Sequence, residues 1–151
     1  MSEANNTCEL CTTAGGEPVW QGSLCRVVLI EEADYPGYCR VVLNRHEREM
    51  SDLPGEEQQE MMRVVFTVEA VLRRLIDPDK INLASLGNIT PHVHWHVIPR
   101  WTKDRCFPNP IWGLAQRSDT SIAAMIDVQK LKQALAEQLG EPNVTSDRSI
   151  P

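Results

Sequence analysis

Three of the four histidines of this chain fall within Pro91-His-Val-His-Trp-His-Val-Ile-Pro-Arg100. On a strand successive side chains alternate faces, so His92, His94 and His96 line one side at intervals of roughly 6–7 Å, with Val93, Trp95 and Val97 turned to the other. Imidazoles in register offer metal ligation, acid–base work near neutral pH, or nucleophilic attack through a ring nitrogen. A merely solvated face does not call for three of them. The fourth, His46, follows a Val-rich run in Leu43-Asn-Arg-His46. Cys8-Glu-Leu-Cys11 has the spacing that lets two thiolates reach one tetrahedral zinc, which is half a site. The other readings are a reduced pair and a redox motif, and the redox motif lacks the strand that should precede it. Cys25 and Cys39 sit in apolar runs and read as core filler, while Cys106 has no partner by spacing.

These groups need a scaffold to hold them. A chain of 151 residues suits one domain, read here as 1–139 followed by a polar, flexible tail over 140–151. Residues 24–32 and 38–44 are Val-rich and flank the turn residues Asp34-Tyr-Pro-Gly37, which predicts an antiparallel pair, and 19–21 adds an edge strand. The period then changes. Met61, Val65, Val68, Leu72 and Leu75 recur at helical spacing, with Glu56, Glu57 and Glu60 at the start and Arg73 and Arg74 at the end. Pro54-Gly55 opens that helix and Asp77-Pro78 closes it. Strand character returns over 81–86 and 93–98, and a second helix is expected over 122–139. The order predicts an α+β domain: a mostly antiparallel five-stranded sheet with one long helix packed on it and a C-terminal helix. A parallel wind is disfavoured because one helix alone is free to serve as a crossover.

Charge and composition narrow the partners. Fifteen basic residues against 21 acidic ones give a net charge of −6, which excludes a general electrostatic grip on nucleic acid or an anionic membrane. An anionic substrate must therefore be held locally. The first residues lack the basic start and apolar core of a signal peptide, and no run reaches membrane-spanning length. An odd count of five cysteines argues against a disulfide framework and for a reducing cytoplasm.

The run His92-Val-His-Trp-His-Val-Ile resembles the signature of the histidine triad (HIT) superfamily of nucleotide hydrolases and transferases, and Pro99-Arg100 is similar to its common ending. The likeness extends through Asn82, Gly87-Asn88 and Asn44-Arg45-His46, over about residues 8–113. It implies that His94 attacks the α-phosphate of a purine nucleotide to form a nucleotidyl-histidine. His96 would then assist the leaving group, with His92 and His46 orienting or polarising from the flanks. Asn82 and Asn88 become candidates for ribose or phosphate, Thr90 offers a hydroxyl, and Arg100 pairs with phosphate or with a carboxylate. The Ile89-Thr-Pro91 stretch departs from the glycine-rich loop of many members. The resemblance also implies a possible structural zinc held by Cys8, Cys11, His46 and His92, and a homodimer with the second strand and the long helix as candidate interface. His96, where the uridylyltransferase branch has Gln, favours hydrolysis. Trp101 and the 107–113 segment either wall the cleft or pack on the sheet or a dimer interface. Two other functions stand beside this one: a zinc-dependent hydrolase with His92, His94 and His96 as ligands, and a nucleotide-binding module without turnover.

Overall fold

The computed structural model describes residues 6–119 and 122–143. A short helix α1 (Glu9–Thr12) leads into β1 (Glu17–Gln21), β2 (Cys25–Leu29) and β3 (Cys39–Leu43). A 3-10 turn and the long helix α2 (Gly55–Ile76) follow, then β4 (Lys80–Ala84), β5 (His94–Arg100) and α3 (Val128–Leu139). The strands form one antiparallel sheet in the order β1-β2-β3-β5-β4. Among the described residues no helix is long and apolar enough to cross a membrane.

Alternation along the strands separates two faces. Val27, Cys39, Val41, Leu43 and Val97 face α2, which buries Met61, Val64, Val65, Val68, Val71 and Leu72 against them. Each such side chain contributes about 1.5–3 kcal/mol relative to exposure. Helix α2 stops where predicted: Asp77 turns left-handed at φ 45°, its N–H bonds the carbonyl of Arg73, and Pro78 cannot continue the helix. Gly37 in the turn before β3 has φ +80°, and a Cβ there would sit 2.7 Å from the end of Ile76, so this turn packs tightly on the end of α2.

All five expected strands and both principal helices are present, with shifted ends. Helix α3 begins at Val128 rather than at 122, because the Asp127 carboxylate accepts from the N–H groups of Gln129 and Lys130 and caps it there. Strand β5 begins at His94, leaving His92 just outside it. Of the expected flexible tail, residues 140–143 are held at β1: Trp20 donates to the Gly140 carbonyl at 3.0 Å and the Asn143 N–H to that of Gln21 at 2.7 Å. Residues 144–151 lie outside the described residues. The second predicted strand is not available as an interface, since β3 lies between β2 and β5 and Val41 and Val42 are fully buried. Among the described residues the sheet ends at β1 and β4.

Candidate functional site

On the sheet face away from α2, β3 presents Arg40 and Val42 and β5 presents His94 and His96, with Arg40 directly opposite His96 and Val42 opposite His94. Residues 86–90, α1 and Trp112 roof this face and leave a cavity of about 470 Å³. Its floor is polar, from Arg40, His94 and His96, and its walls include Leu86, Ile89 and Trp112.

His94 Nδ1 lies 2.6 Å from the main-chain oxygen of His92. A carbonyl only accepts, so Nδ1 carries the proton and Nε2 keeps its lone pair. Burial, with the Arg40 charge beside it, holds the His94 pKa below 6.5 despite that hydrogen bond, so the ring is neutral at pH 7. The His96 ring centroid is 4.9 Å from that of His94, and the Trp112 ring meets His96 edge-on at 4.9 Å. Burial first, then His94 and Arg40, push the His96 pKa down to about 4. His96 Nδ1 lies 2.6 Å from the Tyr38 hydroxyl, whose own pKa burial raises. The Arg40 charge beside it acts in the opposite direction. The Tyr38 hydroxyl both donates and accepts, so it can serve His96 Nδ1 in either tautomer of the ring.

Beside the cavity four side chains converge: Cys8, Cys11, His46 and His92, all with donor atoms within 4.8 Å of one another. The Nδ1 atoms of His46 and His92 are 3.3 Å apart, Cys11 Sγ is 3.3 Å from His46 Nδ1 and 3.5 Å from His92 Nδ1, and Cys8 Sγ is 3.5 Å from His92 Nδ1. Zinc with bonds of about 2.0–2.3 Å to nitrogen and sulfur requires tetrahedral edges of roughly 3.3 Å between nitrogens and roughly 3.5 Å between nitrogen and sulfur. The donor set fits that ion in type and spacing. His92 Nε2 donates to the Leu43 carbonyl at 2.7 Å, which leaves Nδ1 as the lone-pair atom facing the thiols. Arg26 holds α1 over this face through the carbonyls of Leu10, Thr13 and Ala14.

A HIT domain profile matches residues 16–103, more than half of the chain. The chain belongs to the HIT family. It is 31% identical over 104 residues to AP-4-A phosphorylase of Mycobacterium tuberculosis, a match covering 65% of this chain and 53% of that one. The chain therefore spans about half the length of the curated relatives it matches. A histidine triad protein of Bradyrhizobium japonicum has a similar fold (TM-score 0.66, 30% identity, 83% of this chain and 91% of that chain). So has one of Marinobacter aquaeolei VT8 (TM-score 0.68, 27% identity, 83% and 92%).

Within this HIT chain, Asn88 and Thr90 line the cavity with His94 and His96, while His46 and His92 are gathered by the cysteines. His94 and His96 join no metal-capable group among the described residues, so the three triad rings are not one ligand set. The reason is local: the His92 ring is tied to the Leu43 carbonyl and the thiols before β5 begins. Arg100 and Asn82 do not line this cavity. Arg100 is 1% exposed, pairs with Asp104 at 2.7 and 3.0 Å, donates to Asn82 Oδ1 and the Asn109 carbonyl, and lies between the rings of Tyr35 and Phe107. Of the two partners offered for Arg100, the carboxylate is the one present. Asp104 also accepts from the N–H groups of Trp101, Cys106 and Phe107, so the pair shapes the loop that carries Trp112. Asp104→Ala, which strands a buried guanidinium, should cost about 3–5 kcal/mol in denaturant melts. A loss under about 1 kcal/mol would remove that structural role.

Tyr38, Arg40 and Arg26 were missed by sequence reasoning. Their signal was present: Tyr38 and Arg40 are two apart at the edge of an otherwise apolar run, so both fall on the face shared by His94 and His96. Cys25 and Cys39 are core residues as expected, their thiols pushed up to about 12 by burial.

Proposed function

We propose that this HIT-family chain is a nucleotide hydrolase or nucleotidyl transferase that cleaves a bond to the α-phosphate of a purine nucleotide through a covalent intermediate on His94. The observation that carries the reading is the His94 Nδ1–H bond to the His92 carbonyl, because it leaves a neutral ring with its Nε2 lone pair free to attack phosphorus. As the bond from Nε2 to the α-phosphorus forms, the bridging bond breaks and its electron pair leaves with the departing group. In this reading the Tyr38 O–H donates to His96 Nδ1, and His96 Nε2–H donates to that group. Water then attacks the phosphoramidate, releasing the nucleoside monophosphate and free His94. Asn88 and Thr90 supply neutral hydrogen bonds to phosphate or ribose. The M. tuberculosis relative, named AP-4-A phosphorylase, supports a nucleotide substrate of this class.

In this reading Cys8, Cys11, His46 and His92 hold one structural zinc, which ties the N-terminal segment to the start of β5 and takes no part in bond cleavage. A homodimer is supported by the open β4 edge and by Phe66 of α2, which is 54% exposed. Phe66→Glu should shift the chain to monomer in light scattering, and an unchanged mass would exclude that surface. Cys25, Cys39 and Cys106 form no disulfide among the described residues, which fits a reading of the chain as cytoplasmic.

Intact-protein mass spectrometry tests the mechanism: rapid quenching without acid, with EDTA present, using an adenosine phosphoramidate or a diadenosine polyphosphate. An AMP adduct that requires His94 supports it, and turnover without an adduct that depends on added zinc defeats it. Because burial keeps both rings neutral, the acid limb of kcat/KM should lie below the ordinary imidazole value of 6.5. A limb at or above that value in the pH–rate profile would contradict the neutral-ring reading.

A further inference from the structure

Arg40 stands out among the groups lining the cavity. Among the described residues it is the one lysine or arginine lining the cavity with His94 and His96, and Glu9 is the one carboxylate. Its Nε is buried without a hydrogen-bond partner, and the guanidinium carbon lies 5.8 Å from the centre of the Tyr38 ring. A buried donor left unmade is costly, and a site that keeps one fits an acceptor that arrives with a ligand. Register says where that acceptor sits. Arg40 is opposite His96, whereas the residue opposite His94 is the apolar Val42.

We infer that Arg40 binds the leaving side of the substrate and selects nucleotides whose α-phosphate is joined to a further phosphate, over those joined to an amine. The inference rests on the nucleotidyl-transfer reading above and names the leaving group that reading left open. When His94 Nε2 bonds to the α-phosphorus, the bridging oxygen takes the electron pair of the broken bond, and negative charge builds on the departing phosphate. Arg40 and His96 Nε2–H meet that charge together. An amine leaving group takes a proton and departs without negative charge, so a guanidinium beside it gains nothing. The walls fit the same assignment: the half-exposed Trp112 ring, packed edge-on against His96, offers a surface for the base of a second nucleoside beyond the phosphates.

The test is the ratio of kcat/KM for diadenosine tetraphosphate to that for adenosine 5′-phosphoramidate, measured on the full chain with its metal content unchanged. Arg40→Gln should lower this ratio at least about tenfold, the scale of a charge-assisted hydrogen bond. A smaller fall overturns the inference. If the Gln variant fails to fold, Arg40→Lys decides: it keeps the charge but not the planar fork, and should lower the ratio at least about threefold, while an unchanged ratio overturns the inference. A fall in both kcat/KM values by the same factor also leaves the ratio intact, and so removes the selectivity role while nucleotidyl transfer stands. Absence of the His94 adduct from the wild type would instead defeat transfer, and this inference with it.

Discussion

His94→Ala is expected to lower kcat by roughly 10⁴-fold or more and to erase the AMP adduct, while the fold survives. The loss is large because no neighbour can substitute. In the proposed reading His96 holds its proton on Nε2 and its Nδ1 receives the Tyr38 hydroxyl, so it has no lone pair to aim at phosphorus. His92 spends both ring nitrogens elsewhere, on the Leu43 carbonyl and the thiol cluster. The cost to stability is small by comparison: the variant leaves the His92 carbonyl without its side-chain donor and opens a gap beside a solvent-lined cavity. Together these amount to about 1–2 kcal/mol, a few degrees of melting temperature in a chain of this size. Steady-state rates, adduct mass and thermal melts on one preparation read all three quantities. A residual rate within tenfold of wild type, or an adduct of undiminished mass yield, would sink the assignment of His94.

Removing the zinc proposed for Cys8, Cys11, His46 and His92 is expected to have the second largest effect, and to act on both stability and rate. One zinc per chain should be found by elemental analysis. A strong chelator, or Cys8→Ser, should lower the melting temperature by about 10 °C, equivalent to about 3–4 kcal/mol. That is less than the full binding energy of a zinc finger site, because the sheet and α2 enclose a core of their own. The rate should fall as well, by about tenfold, since the residue whose ring lies in the cluster is the one whose carbonyl fixes the His94 tautomer. The adduct should still form on His94, more slowly, and added zinc should restore both melting point and rate. A chelated protein that melts like the wild type would show that no structural ion sits among these four residues. One that loses all turnover and all adduct would assign the metal to the chemistry.

Much of the fold was legible because its signals are local. The helical stripe from Met61 to Leu75, the acids before it and the left-handed Asp77 before Pro78 specify α2 from residues within one segment. The triad was legible for the same reason: alternate residues of a strand share a face whatever packs around it, so His94 and His96 had to be neighbours. The Cys8–Cys11 pair could be read as half a zinc site, but its completion joins residues more than 80 positions apart, a distance that spacing does not report. Arg100 was ambiguous for a related reason. A guanidinium next to the triad suits a phosphate or a carboxylate equally well, and the choice fell to Asp104 because the loop after β5 folds back beneath it.

The clearest division lies in a repeated pentapeptide. Cys-Arg-Val-Val-Leu occurs at both 25–29 and 39–43, and composition and alternation make each a strand with its arginine turned away from the helix face. Nothing within five identical residues distinguishes the two arginines. Antiparallel pairing does, by setting Arg26 against Val42 and Arg40 against Val28 and His96. Arg26 then lies under the N-terminal segment, whose carbonyls satisfy it, and Arg40 lies at the cavity with a donor left over. Strand and facing are properties of the local chain, whereas a side chain's partners depend on which segments the fold brings beside it.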